Sequence, residues 1–214
     1  TGAGNIVTNN SNVVSVLGAQ TANGNVQFNN TVSLNVAAVA ASGNFAGTTN
    51  GIDTSATTGK TIDVLVSGPL TISSDITTNT TGNVYLTSGV SITEVATAKI
   101  TTGTLGMNVT GVGNITTNNG NLVNVLGAKT ANGGIQYKNA QTLGVTTVGA
   151  SGNFAGTTNG IDTSATTGKT VDVLLTAGAL TLNNDITTNT SGNVLLTAAA
   201  GISEAGAAKI TTDT

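Results

Sequence analysis

The string SGNFAGTTNGIDTSATTGKT fills positions 42–61 and returns without a change at positions 151–170. A chain that copies itself this closely must build one domain twice or run as a continuous array, which makes solenoids, propellers and repeat arrays the first architectures to consider. The copying extends beyond the identical string. GNIVTNN at Gly4 returns as GNITTNN at Gly113, VLGAQTANG at Val16 as VLGAKTANG at Val125, and DITTNTTGNVYLT at Asp75 as DITTNTSGNVLLT at Asp185. One offset relates the copies as far as Val66 and Leu175, and an offset longer by one relates them from Gly68 and Gly178 onward, so one residue enters at a turn. AKITTDT at Ala208 matches AKITTGT at Ala98, and the whole reads as an excerpt from a longer array. The expected organisation is one repeat unit over residues 1–112 and a second, continuous with it, over 113–214.

A shorter period lies inside each unit. Gly-Asn opens strand-like runs at Gly4, Gly24, Gly43 and Gly82, with Gly59-Lys60 in a similar place. The steps between them are uneven but average about twenty positions. A rung of that size is the spacing of a parallel β-helix, in which no rung buries its inner face alone and neighbours share one core. At that spacing a unit would hold five or six rungs. Period-two alternation supports strands, as in Ile62-x-Val64-x-Val66, Leu70-x-Ile72, Val84-x-Leu86, Val90-x-Ile92 and Leu105-x-Met107-x-Val109. Asn-Gly, Ser-Gly and Thr-Gly pairs between the runs supply the positive φ that tight corners need. No 3.6-residue apolar stripe appears, and the Ala-rich stretches at 37–41 and 198–200 are too short to read as helices. The expected fold is all-β, a parallel β-solenoid with irregular rungs; a β-sandwich array is the alternative, because short strands at close spacing also suit it.

Composition narrows the function. Charged residues are 7% of the chain, aromatic residues 2%, and the hydrophobic fraction is 38% with mean hydropathy +0.20. Disorder usually goes with low hydrophobicity and high net charge, and this chain has neither. Net charge is −3 and all six cations are lysines, with no basic cluster, so nucleic acid is not an expected partner. No apolar run reaches the length of a membrane span, and insertion by this segment is not expected. Trp, Cys, His and Arg are absent, which leaves the polar surface to Asn, Thr, Ser and backbone.

Catalysis needs one constellation in one place, whereas most charges here obey the repeat. Asp53, Lys60 and Asp63 match Asp162, Lys169 and Asp172, while Asp75, Glu94 and Lys99 match Asp185, Glu204 and Lys209. Only Lys129, Lys138 and Asp213 lack a charged counterpart. Acid–base work most often uses His, and zinc sites use Cys and His, none of which is present. Asp53 and Asp63 are the nearest candidates for the paired carboxylates of glycoside hydrolysis. Their simpler reading is a turn cap for Asp53 beside Gly51 and an outward strand position for Asp63 between inward Ile62 and Val64. No catalytic, cofactor-binding or metal-binding residue is therefore assigned, and the expectation is a non-enzyme without cofactor.

Weaker signals remain. Neither the Ca²⁺-binding nonapeptide nor an EF-hand loop occurs. Thr-rich runs such as Ile76-Thr77-Thr78 resemble ice-binding solenoids in composition but do not fall in a regular ladder. N-x-[ST] sequons recur at the equivalent positions Asn79 and Asn189. Phe28 is equivalent to Tyr137 and Phe45 to Phe154; these rings are expected to fill wide corners of a thin core rather than to form a sugar-stacking platform.

Rungs such as GNITTNNGNLV and GNVLLTAAAGISEAGAAKITT resemble the repeat regions of filamentous-haemagglutinin-like bacterial surface exoproteins, many of them exported by two-partner secretion or as autotransporters. The likeness covers essentially the whole chain as repeat style and composition. It implies a right-handed parallel β-helix in a long extracellular fibre: a stalk or filament repeat of a secreted cell-surface adhesin or biofilm-matrix fibre. Implied partners are other copies of the chain, end to end or side by side. A module that grips glycans or host surfaces is the alternative, and a polysaccharide-acting β-helix enzyme a third possibility.

Overall fold

The computed structural model describes residues 3–95 and 97–212, and within them the chain forms strands, turns and bends with no helix. Parallel strands stack one rung on the next into a β-solenoid. Ile6, Val26, Ile62, Val84, Leu105, Leu126, Val145, Leu182 and Glu204 follow one another in register, giving nine levels along one side. Most steps along this column match the rung length read from the sequence. The steps from Val26 to Ile62 and from Val145 to Leu182 are far longer.

Each rung of the first unit has a long strand on one side, such as Thr61–Val66, answered by two short strands, such as Leu70–Ile72 and Ile76–Thr77. Alternation decides what faces inward. Ile62, Val64 and Val66 are fully buried, as are Val84 and Leu86 one rung on and Leu105, Met107 and Val109 on the next. Most of these inward side chains therefore rest on a near-equivalent above and below. Full burial of each such aliphatic residue contributes about 1.5–3 kcal/mol.

Two sequence expectations change here. Gly4, Gly24, Gly59-Lys60 and Gly82 do precede strands of successive rungs, but Gly43 does not. It lies at the tip of an insertion that leaves the rung at Ala38–Val39, returns antiparallel at Thr49–Asn50, and is pinched by reciprocal bonds between Ser42 and Phe45. The corresponding excursion in the second unit pairs Thr147–Val148 with Thr158–Asn159. These insertions produce the two long steps of the column. A unit consequently holds about four and a half turns, not five or six.

The half turn sets how the units meet. Ile115 is the counterpart of Ile6, yet it pairs with Ile92 on the opposite side of the solenoid. The long strand Ile135–Asn139 follows on that side, while the short strands Leu143–Val145 and Ile161–Asp162 stack on the long column through Leu126 and Ala128. Strands Ile100–Val109 and Ile115–Thr130 pair directly, so the hydrogen-bonded ladder crosses the repeat boundary without a break.

A buried asparagine completes the backbone where a corner interrupts the ladder. Asn30 Oδ1 accepts from the Val14 amide and its Nδ2 donates to the Val14 carbonyl, both at 2.9 Å. Asn139 does the same to Val123, at 3.1 and 2.9 Å. Both asparagines are wholly buried. Removing such an amide orphans a buried donor and a buried acceptor, at about 1–3 kcal/mol for each group. Asn139→Ala is thus expected to lower unfolding stability by about 2 kcal/mol or more in a denaturant titration followed by circular dichroism. A loss below about 0.5 kcal/mol, the range of an ordinary surface substitution, would show that the corner does not depend on it.

Candidate functional site

The most specialised surface lies where the insertion of the second unit folds back over the first. Phe154 packs on Tyr85 with ring centroids 5.2 Å apart and an interplanar angle of 30°. Beside it the Asn153 amide donates to Asp63 Oδ2, Gln27 Nε2 donates to the same oxygen at 3.2 Å, and Asn153 Nδ2 donates to Asn9 Oδ1 at 3.3 Å. The loop therefore lies against residues contributed by four successive rungs of the preceding unit.

Glycines make this contact possible. A Cβ at Gly106 would come within 2.9 Å of Val148 and 3.0 Å of both Phe154 and Tyr85, and one at Gly127 within 2.3 Å of Thr158 Oγ1. These strand glycines leave a flat bed on the outer face, into which Val148 and Phe154 settle. On the loop itself, Gly152 has φ +57° and a Cβ there would lie 2.3 Å from Asp63 Oδ2.

Asp63 points outward from the strand as its sequence position predicts, yet it is only 3% exposed because the loop covers it. Burial raises the pKa of its carboxyl above the ordinary value, while the Asn153 amide and Gln27 act in the opposite direction. Asp63 shares no partner with Asp53. Asp53 Oδ1 caps its turn by accepting from the Ser55 amide at 2.8 Å and hydroxyl at 2.6 Å, and Gln20 reaches its other oxygen at 3.4 Å. The two candidate carboxylates belong to separate structural roles. In the second unit Gln20 becomes Lys129, which pairs with Asp162 at 3.2 Å. Burial would raise the Asp162 pKa, but the hydroxyl and amide of Ser164, with Lys129, lower it overall.

A second unusual residue sits inside the solenoid at the seam. Glu94 continues the inward column Leu17, Val36, Ile72, and the same register places it beneath Thr117 and then Tyr137. It is 7% exposed, and burial pushes its carboxyl up to about 7. Its Oε2 accepts from the Asn119 amide at 3.2 Å and from Asn121 Nδ2 at 3.3 Å, both supplied by the second unit. Asn121 also accepts from the Ile100 amide at 2.7 Å. Tyr137, fully buried nearby, donates its hydroxyl to Asn139 Oδ1 at 3.1 Å, and burial holds its pKa well above the usual range. Glu204, the counterpart of Glu94, is exposed.

The aromatic expectation is met in part. Phe28 and Tyr137 fill the core. Phe154 is buried, but on the outer face rather than in a core corner, and Phe45 is 43% exposed. The sequons at Asn79 and Asn189 both lie in turns closed by bonds from Gly82 and Gly192, and Asn189 Nδ2 already donates to the Ser164 carbonyl at 2.7 Å. Among the described residues no three His, Cys, Asp or Glu gather where they could hold a metal ion, and no helix is long and apolar enough to cross a membrane. No protein-family model, curated protein or solved structure matches the chain.

Glu94 gives stability a defined pH dependence. Its folded pKa of about 7 exceeds the ordinary 4.5, so the folded state binds the proton more tightly. Stability is then fully present below about 4.5 and is lost as pH rises through about 7, by about 3 kcal/mol. Asp63 adds to the trend in the same direction. Glu94→Gln is expected to flatten the profile between about pH 5 and pH 8 in denaturant titrations; an unchanged slope would remove Glu94 as its source.

The insertion makes a second test. Phe154→Ala should destabilise the chain by about 3 kcal/mol, in the range for deleting a buried phenyl ring, and should open residues 147–159 to limited proteolysis. Phe45→Ala, at the same place in the repeat, should change monomer stability by less than about 0.5 kcal/mol. Equal losses at the two positions would contradict the difference in burial of the two rings.

Proposed function

We propose that this chain is a structural repeat of a large secreted bacterial surface protein, serving as a stalk or filament segment of an adhesin or matrix fibre. The observation that carries this reading is the uninterrupted parallel ladder through the boundary between units. A ladder that ignores the boundary lets length grow with repeat number, each unit being stabilised by its neighbours. The filamentous-haemagglutinin-like style of the repeats supports an extracellular bacterial setting, and the scarcity of charge leaves little repulsion between parallel rods.

Separate structural roles for the two candidate carboxylates support a non-enzymatic reading. Asp53 caps a turn and Asp63 anchors a loop. A glycan-gripping role would use rings clustered on one face; here Phe154 covers Tyr85, and Phe28 and Tyr137 are in the core.

Electron microscopy of material sheared from the producing cells tests the proposal. The expected result is thin fibres a few nanometres wide. Nine rungs at about 4.8 Å each place successive pairs of units about 43 Å apart along the axis, with the unit itself at about half that spacing. Compact particles without fibres would sink the filament role.

A further inference from the structure

The two insertions have identical tips but different surroundings. Residues 151–156 and 42–47 both read SGNFAG. Both are closed by the same pair of backbone bonds, Ser151 with Phe154 at 2.9 and 3.1 Å and Ser42 with Phe45 at 3.0 Å each. The tip thus has its shape whether or not it is docked. In the second unit Phe154 is 1% exposed, and a Cβ on Gly152 would strike Asp63 and Gln27. In the first unit Phe45 is 43% exposed, and a Cβ on Gly43 would meet nothing within 4 Å. The first tip is the same preformed probe without a face to dock on.

A matching receptor exists on the second unit. The residues that hold the docked tip are Asn9, Gln27, Asp63 and Tyr85; their counterparts are Asn118, Gln136, Asp172 and Leu195. The three polar residues recur unchanged, and Leu replaces Tyr with another apolar contact. They occupy the same successive rungs, as Gln136 pairs with Asp172 and Asp172 with Leu195, just as Gln27 pairs with Asp63 and Asp63 with Tyr85. Asn118 Nδ2 reaches Gln136 Oε1 at 3.4 Å, repeating the bond from Asn9 to Gln27 at 2.9 Å. Leu195 is 53% exposed. Among the described residues, none covers Leu195 as Phe154 covers Tyr85.

We infer that the Asn44–Phe45 tip is a clasp for a second copy of this repeat, docking on the outer face formed by Gln136, Asp172 and Leu195 of the copy before it. The occupant is fixed by what the molecule already does to itself: the identical tip sits on the equivalent face once within the chain. Asp172 would accept the Asn44 amide as Asp63 accepts that of Asn153, and Phe45 would cover Leu195. Probe and receptor lie on different units, so the contact is head to tail and does not close on itself. This inference rests on the array reading above, and it adds the device that would fix neighbouring copies in rotation and register.

The absence of cysteine makes the contact testable by placed thiols. The chain carrying both Phe45→Cys and Leu195→Cys, treated with a short bismaleimide, should give a ladder of linked multimers, with residues 45 and 195 joined in the cross-linked peptides. Each single variant can go no further than a dimer. Asn9→Cys with Asn153→Cys, which leaves the Phe154–Tyr85 contact in place, is the internal control: it should link within one chain, and an unchanged circular dichroism spectrum shows that the variant folds. Asp172→Lys in the double variant should suppress the ladder several-fold while leaving circular dichroism unchanged. If the internal control links but the 45–195 pair gives no multimer at any concentration, or joins only 45 to 45, the clasp is wrong. Fibres seen by microscopy would then still support the array reading, whereas a ladder without fibres on cells would keep the clasp and discard the stalk.

Discussion

Everything in this molecule depends on each rung handing its backbone hydrogen bonds to the next. Ile52 donates to Asp75 at 3.0 Å, Ile76 to Lys99 at 3.0 Å, and the pattern continues along the axis. A parallel ladder of this kind sets the spacing, and the spacing in turn forces like side chains into columns. Those columns tolerate only small changes from rung to rung, which is why the core is built mainly from Val, Ile and Leu, with Phe28 and Tyr137 as its rings. Where the ladder must bend, Asn30 and Asn139 substitute their amides for a neighbour's backbone. The corners are therefore held by the same chemistry as the strands.

The seam between units shows what that constraint costs and how it is met. A long strand must accept two short ones, so Ile115–Thr130 carries the change of side, bending at Gly120, where φ is +71°. Glu94 is the last residue of its inward column before the seam, and its partners Asn119 and Asn121 arrive with the next unit. Its burial is thus created by the neighbour, not by its own rung. The same holds for Asp63, covered by a loop from far along the chain. Neighbouring units are coupled through the core by one carboxyl and across the surface by the other.

Much of this is legible in the sequence, and the parts that are not share one cause. Repeats, alternation and Gly-Asn corners reveal a parallel solenoid because those signals act within a rung. Gly43 misleads because the same Gly-Asn dipeptide serves two different needs: at Gly24 and Gly82 a Cβ would strike the backbone of the rung before, whereas Gly43 supplies the φ of +59° of an insertion tip. The rung count fails with it: counting Gly43 as a rung turns one long step into two short ones. Phe45 and Phe154 have the same neighbours in sequence, so nothing local can tell the exposed ring from the buried one. Asp63 reads as a plain surface carboxylate because its cover lies in another unit. Glu94 and Glu204 differ in burial for the same reason. Strand glycines such as Gly106 and Gly127 are the one local hint that something approaches the outer face closely.

The half turn between units has a consequence for any chain that contains many of them. In such an array the insertions of successive units leave from opposite sides of the rung, with the twist of the rod added to that half turn. Parity then matters as much as length. Gaining or losing one unit would add a half turn to everything beyond it, whereas gaining or losing two would add only the accumulated twist of the rungs between. A gene that lengthens by duplication would thus change which way its distal end faces each time it adds a single unit, and a partner bound at a fixed azimuth would sense whether the count is odd or even.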